Sequence, residues 1–172
     1  MKTPILLMAV LLVLLLSACK IFGPVEPSLP PETQRGADTF GALVDGAVWR
    51  PQGSIYTIVL SASYGNGTLY LNAHNRDSET SFGFELYEIY KFEKTYELVH
   101  DPYKPEGRSY INYTINNTQY NPTYIHKGYL TITKLDTTEI GFVSGTFYFD
   151  AVNENDSTDI IHITEGRFDV RF

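Results

Sequence analysis

Cysteine is almost absent from this sequence, with Cys19 the only example in 172 residues. One thiol cannot close an intramolecular disulfide, so the fold must be held by packing and hydrogen bonds. Long apolar runs are also scarce, and the longest is the twelve residues from Ile5 to Leu16. A helix that crosses a bilayer needs roughly 20 apolar residues, so this run is too short for that role.

The apolar run has the layout of a secretory signal instead. It follows one positive charge, Lys2, and ends in small residues, which is the order found in signal peptides. The residues Leu16-Ser17-Ala18-Cys19 resemble the bacterial lipobox at all four positions. The resemblance implies cleavage before Cys19 and attachment of a diacylglycerol to its sulfur. The alternative is an ordinary signal peptide, which would leave a lone reactive thiol on a secreted chain.

Basic residues are the minority charge. The chain has 13 lysines and arginines against 20 aspartates and glutamates, and removal of residues 1–18 takes away one basic residue, Lys2, and no acidic residue. The mature chain therefore carries a net charge of −8, which disfavours nucleic acid and anionic lipid headgroups as partners. We expect membrane attachment through the lipid on Cys19 instead.

Composition divides the chain into three segments. Residues 1–18 are the predicted lipoprotein signal peptide, residues 19–36 are the lipidated cysteine and a linker with four prolines, and residues 37–172 are a single β domain. Proline removes backbone donors, so the linker is expected to form neither helix nor sheet. Some surface-exported lipoproteins of gut-type Gram-negative bacteria carry an acidic cluster after the lipidated cysteine, which this chain lacks. That comparison implies a place in the cell envelope, at the outer membrane and facing the periplasm.

From Thr39 onward, apolar residues recur at every second position, which is typical of β-strands. The 13 tyrosines and 10 phenylalanines of the chain suit a pleated, half-buried surface. Parallel strands would need crossovers of a dozen or more residues, usually helical, and none is evident. We predict an all-β fold, an antiparallel meander of about nine or ten strands that closes as a β-sandwich or flattened barrel.

Local patterns predict where several strands turn or end. Asp45-Gly46 between apolar runs predicts a hairpin turn. The alternation predicts a strand from Ser54 to Ser63, another from Ser81 to Tyr90, and a bulge at Glu165-Gly166. The last residues, Arg167 to Phe172, place apolar side chains on one face and charges on the other. This pattern predicts a docked terminal strand.

Three stretches repeat glycine at turns and aromatic residues at core positions: Phe40 to Trp49, Gly141 to Ala151 and Ile163 to Val170. Together they resemble an uncharacterised, lipobox-bearing all-β lipoprotein family of gut-type Gram-negative bacteria, a domain of unknown function. The resemblance spans most of residues 39–172. No assigned activity, cofactor or catalytic residue accompanies that family, so the resemblance implies a fold and no mechanism.

Catalytic and metal-binding motifs are absent. The sequence has no Gly-x-Ser-x-Gly elbow and no His-Glu-x-x-His pair, and its four histidines stand on different strands or loops at positions 74, 100, 126 and 162. The oxygen-rich run Asn153 to Asp159 has Thr158 where a calcium loop places glycine, so it is interpreted as a hairpin turn. We predict that the protein is not an enzyme and has neither a metal site nor a cofactor.

Two short motifs, Asp136-Thr137-Thr138 and Asp156-Ser157-Thr158, resemble a three-residue O-glycosylation motif of some Gram-negative envelope proteins. Both fall in predicted turns, where a modifying enzyme has access. Ordinary turn residues have the same composition, so both interpretations stay open.

Three tyrosines are candidates for binding. Tyr103 and Tyr120 lie in two predicted loops, His100 to Arg108 and Asn116 to Thr123, and Tyr124 follows the second. A tyrosine on a loop offers a rigid, half-polar contact surface for an envelope glycan or a protein partner. The alternative is that each ring packs over the end of the sheet and anchors its loop.

The sequence therefore predicts a lipid-anchored cell-envelope β domain with a non-catalytic binding or scaffolding role. One alternative is a calycin-like barrel that carries a small apolar ligand inside. A second is an enzyme whose site carries no recognisable motif. A lined cavity of a few hundred Å³ would favour the carrier, whereas a filled sandwich core would not.

Replacement of Cys19 by alanine is expected to abolish acylation and membrane retention, because the cysteine sulfur is the predicted attachment point. Mass spectrometry of the membrane-extracted protein measures this directly, since the parent should begin at Cys19 and carry the added acyl mass. Lys20→Ala leaves all four lipobox positions intact and should stay membrane-bound. A mature chain that begins elsewhere, or begins with an unmodified cysteine, would contradict the prediction.

Overall fold

The computed structural model describes residues 28–90, 94–100 and 109–172, and this part of the chain forms eleven β-strands and no helix. No helix long and apolar enough to cross a membrane occurs in these residues. The strands are β1 Thr39–Val44, β2 Ala47–Trp49, β3 Leu60–Gly65, β4 Thr68–Asn75, β5 Thr80–Leu86, β6 Lys94–Leu98, β7 Tyr110–Ile115, β8 Thr118–Asn121, β9 Gly128–Asp136, β10 Phe142–Asn153 and β11 Asp156–Arg171.

All named strand pairs are antiparallel and belong to one sheet with the order β2-β1-β11-β10-β8-β7-β5-β4-β3. Strands β9 and β6 branch from this path, because β9 pairs with the first part of β10 and β6 pairs with β9. The order has two free ends, β2 and β3, so the sheet does not close into a barrel. The predicted antiparallel all-β fold is confirmed, with eleven strands in the described residues.

The sheet folds over so that its two halves face each other. The half with β1, β10 and β11 meets the half with β4, β5 and β7 across a layer of aromatic rings. Phe40 of β1 lies 5.3 Å from Phe82 of β5, and Phe147 of β10 lies 5.1 Å from Phe84, measured between ring centroids. The two halves are joined on one side, where Val152 near the end of β10 pairs with Asn121 of β8.

The interior between the halves is filled by side chains from both of them. Trp49 packs 4.7 Å from Phe82, and its indole N–H donates to Thr80 Oγ1 at 2.8 Å. Rings at this spacing make edge-to-face and tilted contacts that add to the free energy of burial. The described strands leave β2 and β3 unpaired on one side, so they do not form the closed barrel on which the carrier alternative is based.

The predicted hairpin at Asp45-Gly46 is present. Both residues have positive φ, 48° and 80°, which is the conformation that a tight two-residue hairpin turn requires. Asn66 and Gly67 repeat it between β3 and β4, with φ of 51° and 77°. The predicted bulge at Glu165-Gly166 is also present, because β11 shifts register there against β10 and Glu165 has a φ of 50°.

Two predicted strand boundaries were wrong. The strand predicted from Ser54 begins only at Leu60, because the Thr57 N–H bonds back to the Ser54 carbonyl and closes a local turn. The strand predicted to run to Tyr90 ends at Leu86. There the chain leaves the sheet, and Glu88 takes a φ of 57°. Apolar composition indicated strand in both places, but within the described residues neither segment forms a regular ladder with a neighbouring strand.

The loop predicted from Asn116 to Thr123 was also wrong over most of its length. Asn116 and Asn117 have φ of 47° and 67°, so this pair alone makes the turn between β7 and β8. Asparagine tolerates the left-handed region better than most residues. Strand β8 therefore starts at Thr118 and pairs with β7.

The terminal strand docks as predicted, but one of its charges does not face water. Phe168 and Val170 are buried, and Asp169 between them is fully buried as well. The polypeptide before β1 covers the Asp169 carboxylate, which accepts five hydrogen bonds of 2.6–3.1 Å. The donors are Thr33 Oγ1, the N–H groups of Arg35, Gly36 and Ala37, and Ser144 Oγ of β10.

These hydrogen bonds decide the ionisation of Asp169. Burial would raise the pKa of this carboxyl, but the donors outweigh burial and lower the pKa from 3.8 to about 2. The end of the predicted linker is therefore part of the folded domain, since Thr33 to Ala37 bind directly to a core carboxylate. A buried charge without such partners would be strongly destabilising.

Stability is expected to fall as the pH drops from about 4 through about 2. The folded pKa of Asp169 lies below its unfolded value, so its contribution is present above pH 4 and is lost on protonation. The shift corresponds to roughly 2.5 kcal/mol of unfolding free energy at neutral pH. Urea unfolding at a series of pH values measures this dependence.

Asp169→Asn should lower stability at neutral pH and flatten the decline between pH 4 and 2. Asp77→Asn, which removes an exposed charge outside this cluster, controls for net charge and should keep the decline. An Asp169→Asn protein with the parent's slope in this range would show that the carboxylate does not hold the N-terminal segment.

Candidate functional site

The three predicted binding tyrosines do not share one environment. Tyr120 lies in β8 with its ring buried, and its hydroxyl donates to Asp159 Oδ2 at 2.8 Å. This placement matches the alternative in which the ring anchors its segment. Tyr124 lies in the connection between β8 and β9 and is 56% exposed. Tyr103 and the predicted lipidation site Cys19 lie outside the described residues.

The structure brings two of the four histidines to one carboxylate. His162 Nδ1 lies 2.7 Å from Asp150 Oδ1, and His126 Nδ1 lies 3.8 Å from Asp150 Oδ2. The hydrogen bond and charge of Asp150 raise the pKa of His162. No group of three or more metal-ligating side chains occurs in the part of the chain that the structure describes.

The two motifs that resemble glycosylation sites are exposed and locally hydrogen-bonded. Asp136 Oδ1 accepts from the N–H and the hydroxyl of Thr138 at 3.0 and 2.7 Å. Asp156 Oδ1 accepts from the same groups of Thr158 at 2.9 and 2.7 Å. These bonds lower the pKa of both carboxyls. Asp136 is the last residue of β9 and Asp156 the first of β11, so the hairpin turn predicted for Asn153 to Asp159 is confined to Glu154 and Asn155.

A polar surface covers the outer side of β4, β5 and β7. Alternate residues of these strands point into the core, and the residues between them point outward. The strand register aligns the outward residues in three rows. We call this surface the polar face: Tyr70, Glu85 and Tyr110 in the first row, Asn72, Gly83 and Asn112 in the second, and His74, Ser81 and Thr114 in the third.

The middle row has two amides on either side of a glycine. A Cβ atom on Gly83 would lie 2.5 Å from Asn112 Oδ1 and 3.8 Å from Asn72 Oδ1, so the bare backbone makes room for the Asn112 side chain. Glycine within a strand weakens it and often marks a close approach. The Asn72 amide is exposed and makes no side-chain hydrogen bond to any described residue. Each amide can donate and accept at once.

The first row has one carboxylate, that of Glu85, and it accepts hydrogen bonds from tyrosine hydroxyls. The Tyr87 hydroxyl donates to Glu85 Oε1, and this bond raises the pKa of Tyr87 to about 12. A hydrogen bond to Glu85 also raises the pKa of Tyr70. The Tyr70 ring remains 44% exposed. Because the Glu85 carboxylate already accepts these hydrogen bonds, the groups that this row offers to a ligand are mainly phenol rings.

Tyr110 is fixed from two sides. Its hydroxyl lies 3.1 Å from both Gln119 Oε1 and Asn121 Oδ1 of β8. Its ring lies 5.1 Å from that of His100, the last described residue before the segment 101–108. Burial raises the pKa of Tyr110. These contacts hold the ring in one orientation at the edge of the polar face.

The third row continues into a surface groove of about 510 Å³. His74, Ser81 and Thr114 line it together with residues of the β4–β5 and β7–β8 turns, including Arg76 and Asn117. Burial and the neighbouring Arg76 charge lower the pKa of His74. The imidazole is therefore neutral at neutral pH and adds a further uncharged hydrogen-bonding group.

The polar face consists of groups that form hydrogen bonds and ring contacts. Its groups are amides, hydroxyls, phenols and a neutral imidazole, and its one carboxylate is occupied by phenols. From the first row to the third it extends about 14 Å, at roughly 3.4 Å per residue. The sequence predicted the strand that contains β5. It did not predict that β5 and β7 are neighbours, and only this pairing assembles the rows.

Comparison with known proteins places the chain in one family. No curated protein and no solved structure matches it. A family profile matches residues 37–170, which contain the polar face and Asp169. The chain therefore belongs to the DUF6252 family, a domain of unknown function.

Proposed function

We propose that this protein is a lipid-anchored domain of the cell envelope that binds a ligand without catalysis, and that the polar face is its binding surface. The observation that carries the proposal is the alignment of three rows of uncharged polar and aromatic side chains on the outer side of β4, β5 and β7. Binding groups on paired strands are held rigidly, so little conformational entropy is lost when a ligand binds.

The ligand class that fits this face is a neutral, hydroxyl-rich molecule such as an envelope glycan. Asn72 and Asn112 can each donate to one hydroxyl and accept from another. The exposed ring of Tyr70 offers an apolar surface for the C–H side of a sugar ring. A strongly charged ligand would find no unpaired opposite charge within the three rows, since Glu85 is engaged and His74 is neutral.

The anchor in this proposal is the lipid on Cys19, at the outer membrane and facing the periplasm. Its support is the apolar run from Ile5 to Leu16, followed by four residues that resemble a lipobox. Thr33, the first residue bound to Asp169, lies fourteen residues beyond Cys19. A tether of this length would keep the polar face within reach of the envelope glycans.

Tyr70→Ala/Asn72→Ala should weaken glycan binding about tenfold or more, because a lost stacking contact and a lost hydrogen bond each cost roughly 1 kcal/mol. An array of neutral envelope oligosaccharides identifies the ligand, and calorimetric titration of that ligand measures the loss. Both side chains are exposed, so the melting temperature should hardly change.

Tyr148→Ala is the matched control. Tyr148 is also an exposed tyrosine on a strand, 56% exposed, but it lies on β10 beside Tyr129 and away from the polar face. Its replacement should leave binding unchanged. Equal losses in the two variants would reject the polar face as the site, and a parent protein that binds no neutral glycan would reject the ligand class.

A further inference from the structure

The connection between β2 and β3 exposes three large apolar side chains in four consecutive positions. Ile55, Tyr56 and Ile58 are 92%, 91% and 76% exposed. Single exposed apolar residues are normal on protein surfaces, but a cluster of them marks a contact with something other than water. We call residues 53–59 the apolar loop.

Local hydrogen bonds fix the shape of this loop. The Thr57 N–H and hydroxyl both donate to the Ser54 carbonyl, at 3.1 and 2.9 Å. The Tyr56 N–H donates to Ser54 Oγ at 3.4 Å. The tip is therefore a closed turn, and its apolar side chains point outward as a consequence of the backbone conformation.

Both ends of the apolar loop are attached to the end of β4. The Gln52 N–H donates to the His74 carbonyl at 3.0 Å, and the Arg76 N–H donates to the Gln52 carbonyl at 2.8 Å. On the other side, the His74 N–H donates to the Val59 carbonyl at 2.7 Å. Because both ends of the loop are bonded to β4, its apolar side chains keep a fixed position relative to the sheet.

The N-terminal segment reaches the domain beside this base. Leu29 and Pro30 lie against Gly41 of β1. Pro30 also lines the same surface groove as Arg50, which precedes the apolar loop, and Val59, the last residue of the loop. From Cys19 to Pro30 an extended, proline-rich chain spans at most about 34 Å. A lipid on Cys19 therefore keeps the edge of the sandwich that carries the apolar loop within about 34 Å of the bilayer.

The chemistry of this edge fits the interface of a bilayer. Tyrosine places its ring among the acyl chains and its hydroxyl among the headgroups, and isoleucine adds buried apolar area. The exposed Arg50 and Arg76 lie near the base, and guanidinium groups bind phosphate. The acidic remainder of the domain would be repelled by an anionic surface, so the contact depends on the apolar side chains.

We infer that the apolar loop inserts Ile55, Tyr56 and Ile58 into the interface of the bilayer to which Cys19 is attached. The inference rests on the lipid anchor of the proposed function. With the tether as one attachment and the loop as a second, the domain takes a defined orientation on the membrane. The polar face then points in a fixed direction instead of turning freely.

The test uses the acylated full-length mature protein in phosphatidylethanolamine–phosphatidylglycerol vesicles. Tyr56→Cys provides a single thiol for an environment-sensitive fluorophore, because acylation blocks Cys19. We expect blue-shifted emission and about twofold or greater quenching by lipids that carry a nitroxide near the headgroup. Asn155→Cys, in the exposed turn between β10 and β11, is the labelled control and should show neither effect.

A second variant separates insertion from an effect of the label. Ile55→Ser/Ile58→Ser, combined with the label at position 56, should lose most of the quenching and keep its melting temperature, since both side chains are exposed.

The intact mass of the protein distinguishes failure of the anchor from failure of the inference. An unmodified Cys19 overturns the anchor, and the inference with it. An acylated protein whose label at position 56 remains in water overturns the inference alone, as does a blue shift that rises with protein concentration in the absence of vesicles.

Discussion

The carboxylate of Asp169 is the group that holds the segment before β1 against the sheet. It is fully buried, and a charge in that position is tolerated only because five donors surround it. Three of these donors are consecutive backbone N–H groups, from Arg35 to Ala37, so the carboxylate determines the path of the chain before β1. The same oxygens accept from Ser144 of β10, which links that path to the centre of the sheet. The Asp169 carboxylate therefore fixes where the tether leaves the domain. In our proposal this also decides which edge faces the membrane.

The proposed binding surface depends on a different constraint, the two-residue period of the strands. In β4, β5 and β7 one set of side chains fills the aromatic core and the other set forms the polar face. A one-residue shift of β5 would place Phe82 and Phe84 in water and Glu85 in the core. Core burial thereby holds the register of the polar rows. Rigidity of the polar face is a consequence of hydrophobic packing on its reverse side.

Features with local causes could be predicted from the sequence. The Asp45-Gly46 turn, the bulge at Glu165 and the alternation in the last strand each need only a few neighbouring residues. The burial of Asp169 could not be predicted, because four of its donors lie more than 130 residues away in the chain. The polar face was missed for a similar reason, since β5 pairs with β7 while β6 pairs elsewhere. The apolar loop looked like a strand because composition does not indicate whether a segment has a pairing partner.

Strand β10 connects the two halves of the sandwich through its backbone hydrogen bonds. Its first part pairs with β9 and its end pairs with β8, while β11 follows it along nearly its whole length. One strand is thus a member of both halves of the sandwich. Separation of the halves would break its backbone hydrogen bonds as well as the ring contacts between Phe147 and Phe84. The domain should therefore open as one unit, and the slowest amide hydrogen exchange should be found along β10.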